Sequence, residues 1–228
     1  MLLVAAWSIL AALGALSAHG QPSSLRVEAT FVVAVLAPLF WPGRGTTPKR
    51  TALRVLGWSC AAAVSAAISI ALLARSAQSW LRIFLACSML LSILILTHAA
   101  VAWLERRWRA RSDDADGARE LAGRAMAVVL VLLGTLPVWF GPIAEVLSAR
   151  HPRLIDLVVG LSPVTHLAVA SGNDLMRNPW LYEHSNLAVL PVAYPEPAAL
   201  AWGYGSACAV LALAAIASRR SRLEQALK

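Results

Sequence analysis

The run WLRIFLACSMLLSILILTHAAVAWL, residues 80–104, contains a single charged side chain, Arg82. An α-helix of about 20 apolar residues is long enough to cross the hydrocarbon core of a bilayer. A helix that is apolar on every side must also be covered on every side, by protein or by lipid. The run therefore predicts a membrane-embedded helix.

The composition of the whole chain agrees with this prediction. Of the 228 residues, 59% are hydrophobic, and the mean hydropathy is +0.66. A soluble domain of this length cannot hide so much apolar surface, so lipid must cover part of it. We expect one all-α integral membrane domain over residues 1–228, a polytopic helix bundle. Cys60, Cys87 and Cys208 lie within apolar runs, which favours buried thiols over a disulfide framework.

Apolar runs predict about six transmembrane helices, separated by polar or charged loops. The first two runs are short and indicate a tight helical hairpin that turns at 19–24. Small residues in the third run, such as Ala62, Ala63 and Ala66, would allow neighbouring helices to approach closely. The predicted spans are about 2–18, 27–41, 53–74, 80–104, 124–148 and 198–217.

The basic residues predict the orientation of these spans. Lys and Arg concentrate in cytoplasmic loops, and six spans with an inner N-terminus place fourteen basic residues inside and six outside. Both termini are therefore expected in the cytoplasm, with the chain in a bacterial inner membrane. The outer set is Arg26, Arg75, Arg82, Arg150, Arg153 and Arg177.

A long outer segment, about 149–197, joins the last two predicted spans. Within it, 154–170 is barely long enough to cross and carries Pro163, so we expect it to enter the outer leaflet and return, or to lie along the interface. The stretch SGNDLMRNPWLYEHSN, 171–186, follows it. Trp180 and Tyr182 suit the headgroup zone and are candidate partner contacts. We expect an external cap ordered at the membrane surface.

The strongly charged loop 104–124 faces the cytoplasm in this topology. It is expected to be a solvated positive-inside anchor; the alternative is a docking surface for a soluble partner, with Trp108 as the anchoring side chain. Nucleic-acid binding is not expected, because the same charges already serve topology.

No sequence motif indicates catalysis on this chain. GxxxxGK[ST], GxGxxG, GxSxG and HExxH are all missing from the sequence, so no cofactor is expected and the chain is not expected to be an enzyme. The outer segment does hold imidazoles and carboxylates that can bind a divalent metal, with His151, His166, Asp174 and His184 as candidates. Their spacing matches no established ligand pattern, so ordinary interfacial polarity is the favoured interpretation.

Two features lie within predicted spans. His98, in the fourth span, is expected to be a packed and hydrogen-bonded residue; a proton relay is the alternative, because ionisable groups inside a membrane are costly. The run GTLPVWFGP, 134–142, breaks the fifth span and frees backbone groups that need partners.

The layout resembles the six-helix permease subunits of exporter-type ABC transporters. The resemblance covers about 100–217 and depends on LSPVTHL, 161–167, followed by an outer cap. It implies a transport subunit that requires a separate ATPase. The loop PGRGTTPKRTALR, 42–54, differs from the acidic coupling helix usual in that family.

Two further functional hypotheses remain beside this one. The chain can be a non-catalytic structural or accessory subunit that holds other integral subunits in a larger complex. A third hypothesis is an intramembrane enzyme or metal site in the outer cluster.

The predicted topology is tested by labelling single cysteines. In a variant without native thiols, Ser112→Cys should react with a membrane-impermeant maleimide only from the cytoplasmic side, and Ser185→Cys only from the outside. Labelling of both positions from one side would contradict six spans.

Overall fold

A computed structural model of the chain describes residues 24–43, 45, 47–73, 80–111, 114–140, 143, 146, 153–172, 174 and 193–226. These residues form eight α-helices and one 3₁₀ helix, and no strand occurs among them. The predicted all-α class is confirmed. The predicted span 2–18 lies outside the described residues.

Helix α3 is the centre of the bundle and packs against α2, α4, α7 and α8. In chain order the helices are α1 (Ser24–Leu36), the 3₁₀ helix (Ala37–Phe40), α2 (Pro48–Leu73), α3 (Trp80–Arg109), α4 (Ala115–Gly134), α5 (Leu136–Trp139), α6 (Arg153–Leu161), α7 (Pro163–Ser171) and α8 (Pro197–Ala226).

The described helices do not supply six membrane spans. One helix, Leu81–Arg109, is long and apolar enough to cross a bilayer, and a second crossing is possible only if the bent pair α6–α7 counts as one span. Helix α1 has 13 residues. Helix α4 begins with charged turns and ends at Gly134, so its apolar part, 125–134, is only about 15 Å long. The predicted apolar runs continue across positions where the helices of the structure end, so a run can be longer than the helix within it.

Small side chains allow close packing around α3. Ala62, Ala63 and Ala66 of α2 are buried, as the sequence predicts for this face, and they lie in one apolar cluster with Leu90 and Leu94 of α3. Side chains of α1 and α7 complete the same cluster. The core therefore combines small side chains of α2 with large apolar side chains of α3 and α7.

The predicted break in the outer segment is present, between α6 and α7. The two helices are bent by 82°. Ser162 between them is extended (ψ 119°) because the following Pro163 disfavours the α conformation at the preceding residue. Helix α7 ends at Gly172, which has a left-handed φ of 69°.

Two side chains tie the end of the outer segment back to its start. The Asp156 carboxylate accepts a hydrogen bond from the Ala193 amide (3.0 Å), and the Tyr194 hydroxyl donates to Asp174. These two hydrogen bonds join the described ends of this segment to each other. Residues 175–192, with Trp180 and Tyr182, lie outside the described residues, so the order of 171–186 as a whole remains a prediction.

A substitution at Gly123 tests the close approach between α4 and the 3₁₀ helix. A Cβ on Gly123 would lie 2.5 Å from the backbone carbonyl oxygen of Pro38, whereas one on Gly57 of α2 would meet nothing within 4 Å. Gly123→Ala should lower the free energy of unfolding by about 1–3 kcal/mol, as overpacking does.

Gly57→Ala is the matched control and should raise stability by up to about 1 kcal/mol through helix propensity. Thermal unfolding in detergent measures both. Equal unfolding temperatures for the two variants would contradict the close approach.

Candidate functional site

A group of buried polar side chains lies at the C-terminal end of α3. We call it the Trp41–Glu105 cluster. Its α3 residues, His98 and Glu105, are both fully buried and seven residues apart, so they share one face of the helix about two turns from each other. The members are Trp41, Ser59, His98, Glu105 and Arg109.

Glu105 is the charged centre of this cluster. Its Oε2 accepts a hydrogen bond from the Trp41 indole N–H (2.9 Å), and its Oε1 lies 2.6 Å from a guanidinium nitrogen of Arg109. The Arg109 side chain is 35% exposed, so the pair extends from the interior to the surface. A buried carboxylate without such partners would cost several kcal/mol in desolvation.

His98 is packed and hydrogen-bonded, as expected from the sequence. Its Nδ1 lies 2.8 Å from the Ser59 hydroxyl, and its ring stacks on the Trp41 indole with centroids 5.4 Å apart. The single N–H of that indole already donates to Glu105. The described residues therefore form no continuous hydrogen-bonded path from His98 to Glu105, which removes support for a relay between them.

Trp41 also fixes the loop that leads into α2. Two residues later, Gly43 has a φ of +85°, which disfavours other residues. Its carbonyl accepts a hydrogen bond from Arg54 of α2 (3.0 Å), and a Cβ there would lie 3.2 Å from the Arg119 side chain of α4. The loop is thus held by α2, α3 and α4 together.

A second polar site fastens the bent pair α6–α7 to the bundle. The Ser162 hydroxyl donates to the Gly134 carbonyl at the end of α4 (3.1 Å). His166 Nε2 lies 2.7 Å from the Gly160 carbonyl and Nδ1 lies 2.8 Å from the Tyr204 hydroxyl of α8. Because a carbonyl only accepts, Nε2 carries the proton, and a neutral His166 accepts from Tyr204.

These contacts bear on the proposed metal ligands. Both ring nitrogens of His166 have partners, and the Asp174 carboxylate accepts from Tyr194. Within the described part of the chain, no three His, Cys, Asp or Glu side chains lie close enough to hold a metal ion. His151 and His184 lie outside that part.

The structure places Trp108 differently from a free docking anchor. Its ring is half-buried and packs against the apolar cluster that contains Trp41, Val55 and Ala122. The other predicted partner contacts, Trp180 and Tyr182, lie outside the described residues. Sequence reasoning did not find the Glu105 pair; the signal available was a lone Glu at the end of an apolar run with Arg109 four residues later.

No protein-family model, curated protein or solved structure matches this chain. Its function must therefore be argued from its own fold and contacts. The one hydroxyl–imidazole pair in the Trp41–Glu105 cluster, Ser59 with His98, is fully buried, and each polar site joins a helix break or a loop to neighbouring helices. Both sites set the positions of backbone segments.

The Trp41–Glu105 cluster is tested by replacing its carboxylate. Glu105→Gln keeps an acceptor for Trp41 but leaves Arg109 without its charge partner. We expect a loss of about 3 kcal/mol, at the lower end for a broken buried ion pair, because Arg109 reaches solvent.

Glu120→Gln is the matched control, since Glu120 forms an exposed pair with Arg124 on α4; it should cost less than about 1 kcal/mol. Denaturant or thermal unfolding in detergent measures both variants. Similar small losses would show that the buried pair does not stabilise the fold.

Proposed function

We propose that this chain is an integral membrane, permease-like subunit of a transport complex, in which a separate chain hydrolyses ATP. The observation that carries the proposal is the bent helix pair α6–α7, which lies between the fifth and sixth apolar runs and is buried against the bundle. Three groups of observations support it.

The first is the outward face of the bundle. Large apolar side chains are exposed on most of the described helices, and large exposed apolar patches mark surfaces that meet protein or membrane. Lipid would cover them, and among the described helices α3 alone is both long and apolar enough to cross. They include Leu53, Leu56 and Val64 of α2, Leu81, Phe84 and Leu85 of α3, Val128, Val129 and Leu132 of α4, and Trp202, Val210 and Leu211 of α8.

The second is the way the bent pair satisfies its backbone. Non-helical backbone at membrane depth is tolerated only where protein or a water-filled cavity surrounds it. Ser162 is fully buried, its amide donates to the Val159 carbonyl (3.3 Å), and its carbonyl accepts from the His166 amide (3.2 Å). Most side chains of α7 are buried as well. The pair therefore suits a helical hairpin that enters a membrane and returns.

The third is the resemblance of 161–167 and its surroundings to exporter-type permeases, together with the missing nucleotide-binding motif. Such a subunit needs an ATPase from another chain. Both termini in the cytoplasm of a bacterial cell belong to this proposal.

A non-catalytic subunit of a larger membrane complex is the second candidate, and α8 favours it. This helix buries Leu200 and half-buries Tyr204, but leaves Trp202 80% exposed. Nothing lies within 4 Å of a Cβ at Gly203 or Gly205. Small residues beside an exposed aromatic ring allow another transmembrane helix to approach.

The two candidates are separated by isolating the native complex. The tagged chain is purified from native membranes in mild detergent, its partners are identified, and ATP hydrolysis is measured. A stoichiometric subunit with a P-loop, and vanadate-sensitive hydrolysis, is expected. Recovery of integral subunits without any nucleotide-hydrolysing chain would contradict the transport proposal and support the accessory role.

A further inference from the structure

The cytoplasmic end of α3 presents an aromatic ring and a cation away from the bundle. Trp103 is 56% exposed, and the Arg107 guanidinium carbon lies 5.4 Å from the centroid of its ring. The two residues are four apart on the helix, so they share a face. Within the cation–π range, the ring holds the guanidinium against the helix surface.

The charge around this pair is not neutralised within the described residues. Arg109 is paired with Glu105, Arg119 with Asp116, and Arg124 with Glu120. Asp114 instead caps α4 through the amides of Asp116 and Gly117. By contrast Arg106, Arg107 and Arg111 are exposed, and no described carboxylate forms a salt bridge with them.

The length of α3 places the pair at the level of lipid headgroups. From Leu81 to Trp103 the helix rises about 33 Å at 1.5 Å per residue, close to the roughly 30 Å thickness of a hydrocarbon core. Arg107 lies about 6 Å beyond Trp103 by the same rise. Tryptophan is enriched at this boundary, where its ring has an apolar body and one polar edge.

We propose that Trp103 and Arg107 form a binding site for the headgroup of an anionic phospholipid in the cytoplasmic leaflet. The proposal rests on the membrane location proposed above. The guanidinium donates paired hydrogen bonds to the phosphate, a geometry that arginine provides and lysine does not. The acyl chains lie along the exposed apolar face of α3, beside Trp103.

Arg106 provides a control within the same turn. It is also exposed and carries the same charge, but it lies about 60° round the helix on the other side of Trp103, and the cation–π contact described for Trp103 is made by Arg107. Diffuse attraction to an anionic surface treats both arginines alike. A built site depends on Arg107 more than on Arg106.

The test is lipid binding to the purified full-length protein in detergent, followed by native mass spectrometry. Phosphatidylglycerol and phosphatidylcholine with identical acyl chains are titrated separately, with Arg107→Gln, Arg106→Gln and Trp103→Leu compared against the parent. We expect the parent to prefer phosphatidylglycerol. Arg107→Gln should weaken that binding about fivefold, as expected for about 1 kcal/mol per basic contact.

Arg106→Gln should weaken phosphatidylglycerol binding less than twofold, and Trp103→Leu should weaken it while keeping the charge. Equal losses for the two arginine variants, no headgroup preference in the parent, or displacement of bound lipid by millimolar inorganic phosphate would each overturn the site. Only variants that unfold at the same temperature as the parent are compared. Trp103→Leu tests the site independently if Arg107→Gln is unstable.

The outcome is separable from that of the proposed transport function. Loss of the chain from carbonate-washed membranes would overturn the membrane role and the lipid site together. The chain can instead stay in the membrane and co-purify with an ATPase while Arg106→Gln and Arg107→Gln weaken phosphatidylglycerol binding equally. That result would overturn the lipid site alone.

Discussion

A buried carboxylate, Glu105, constrains the part of this structure around the C-terminal end of α3. In a low-dielectric interior its charge is tolerable only with partners at hydrogen-bonding distance, and it has two, the Trp41 indole and the Arg109 guanidinium. Trp41 begins the loop into α2, so the requirement to satisfy one side chain of α3 also fixes where α2 starts. The His98 ring packs on the other side of the same indole. Movement of Trp41 would remove its contacts with both Glu105 and His98. The loss of both contacts opposes displacement of the loop.

Around the α6–α7 pair, the backbone groups that are freed where helices end need hydrogen-bond partners. Helix α4 stops at Gly134, and its carbonyl accepts from Ser162 at the bend of the α6–α7 pair. The Gly160 carbonyl, near the end of α6, accepts from His166 of α7. Ser162 and His166 each satisfy a carbonyl that a continuous helix would have satisfied itself. The prolines and the polar residues of this segment act together. Pro163 breaks the helix, and the Ser162 hydroxyl and the His166 imidazole hydrogen-bond to carbonyls near the ends of α4 and α6. A bundle with this interior can expose its apolar surface to lipid.

The sequence was sufficient to predict what depends on local chemistry. The all-α class follows from long apolar runs, the bend at Ser162 follows from Pro163, and the buried face of α2 follows from its alanines. Contacts between distant residues were not predictable in the same way. Trp41 and Glu105 are 64 residues apart and His166 and Tyr204 are 38 apart, and neither pair has a spacing rule. The described helices do not bear out the predicted count of six spans. Hydropathy ignores where helices end: the run 124–148 continues across Gly134, but helix α4 does not.

The arginines around the C-terminal end of α3 illustrate why position matters more than number. Counted together, they predict the orientation of the chain by their excess over the other side. In the structure they divide into different tasks. Arg109 neutralises a buried acid, Arg54 holds the Gly43 carbonyl, and Arg107 lies over an exposed ring. Arg109 and Arg54 make contacts within the bundle, and their charge stabilises the fold. Arg107 is exposed and forms no salt bridge with a described carboxylate, so its charge remains available to an anion outside the bundle.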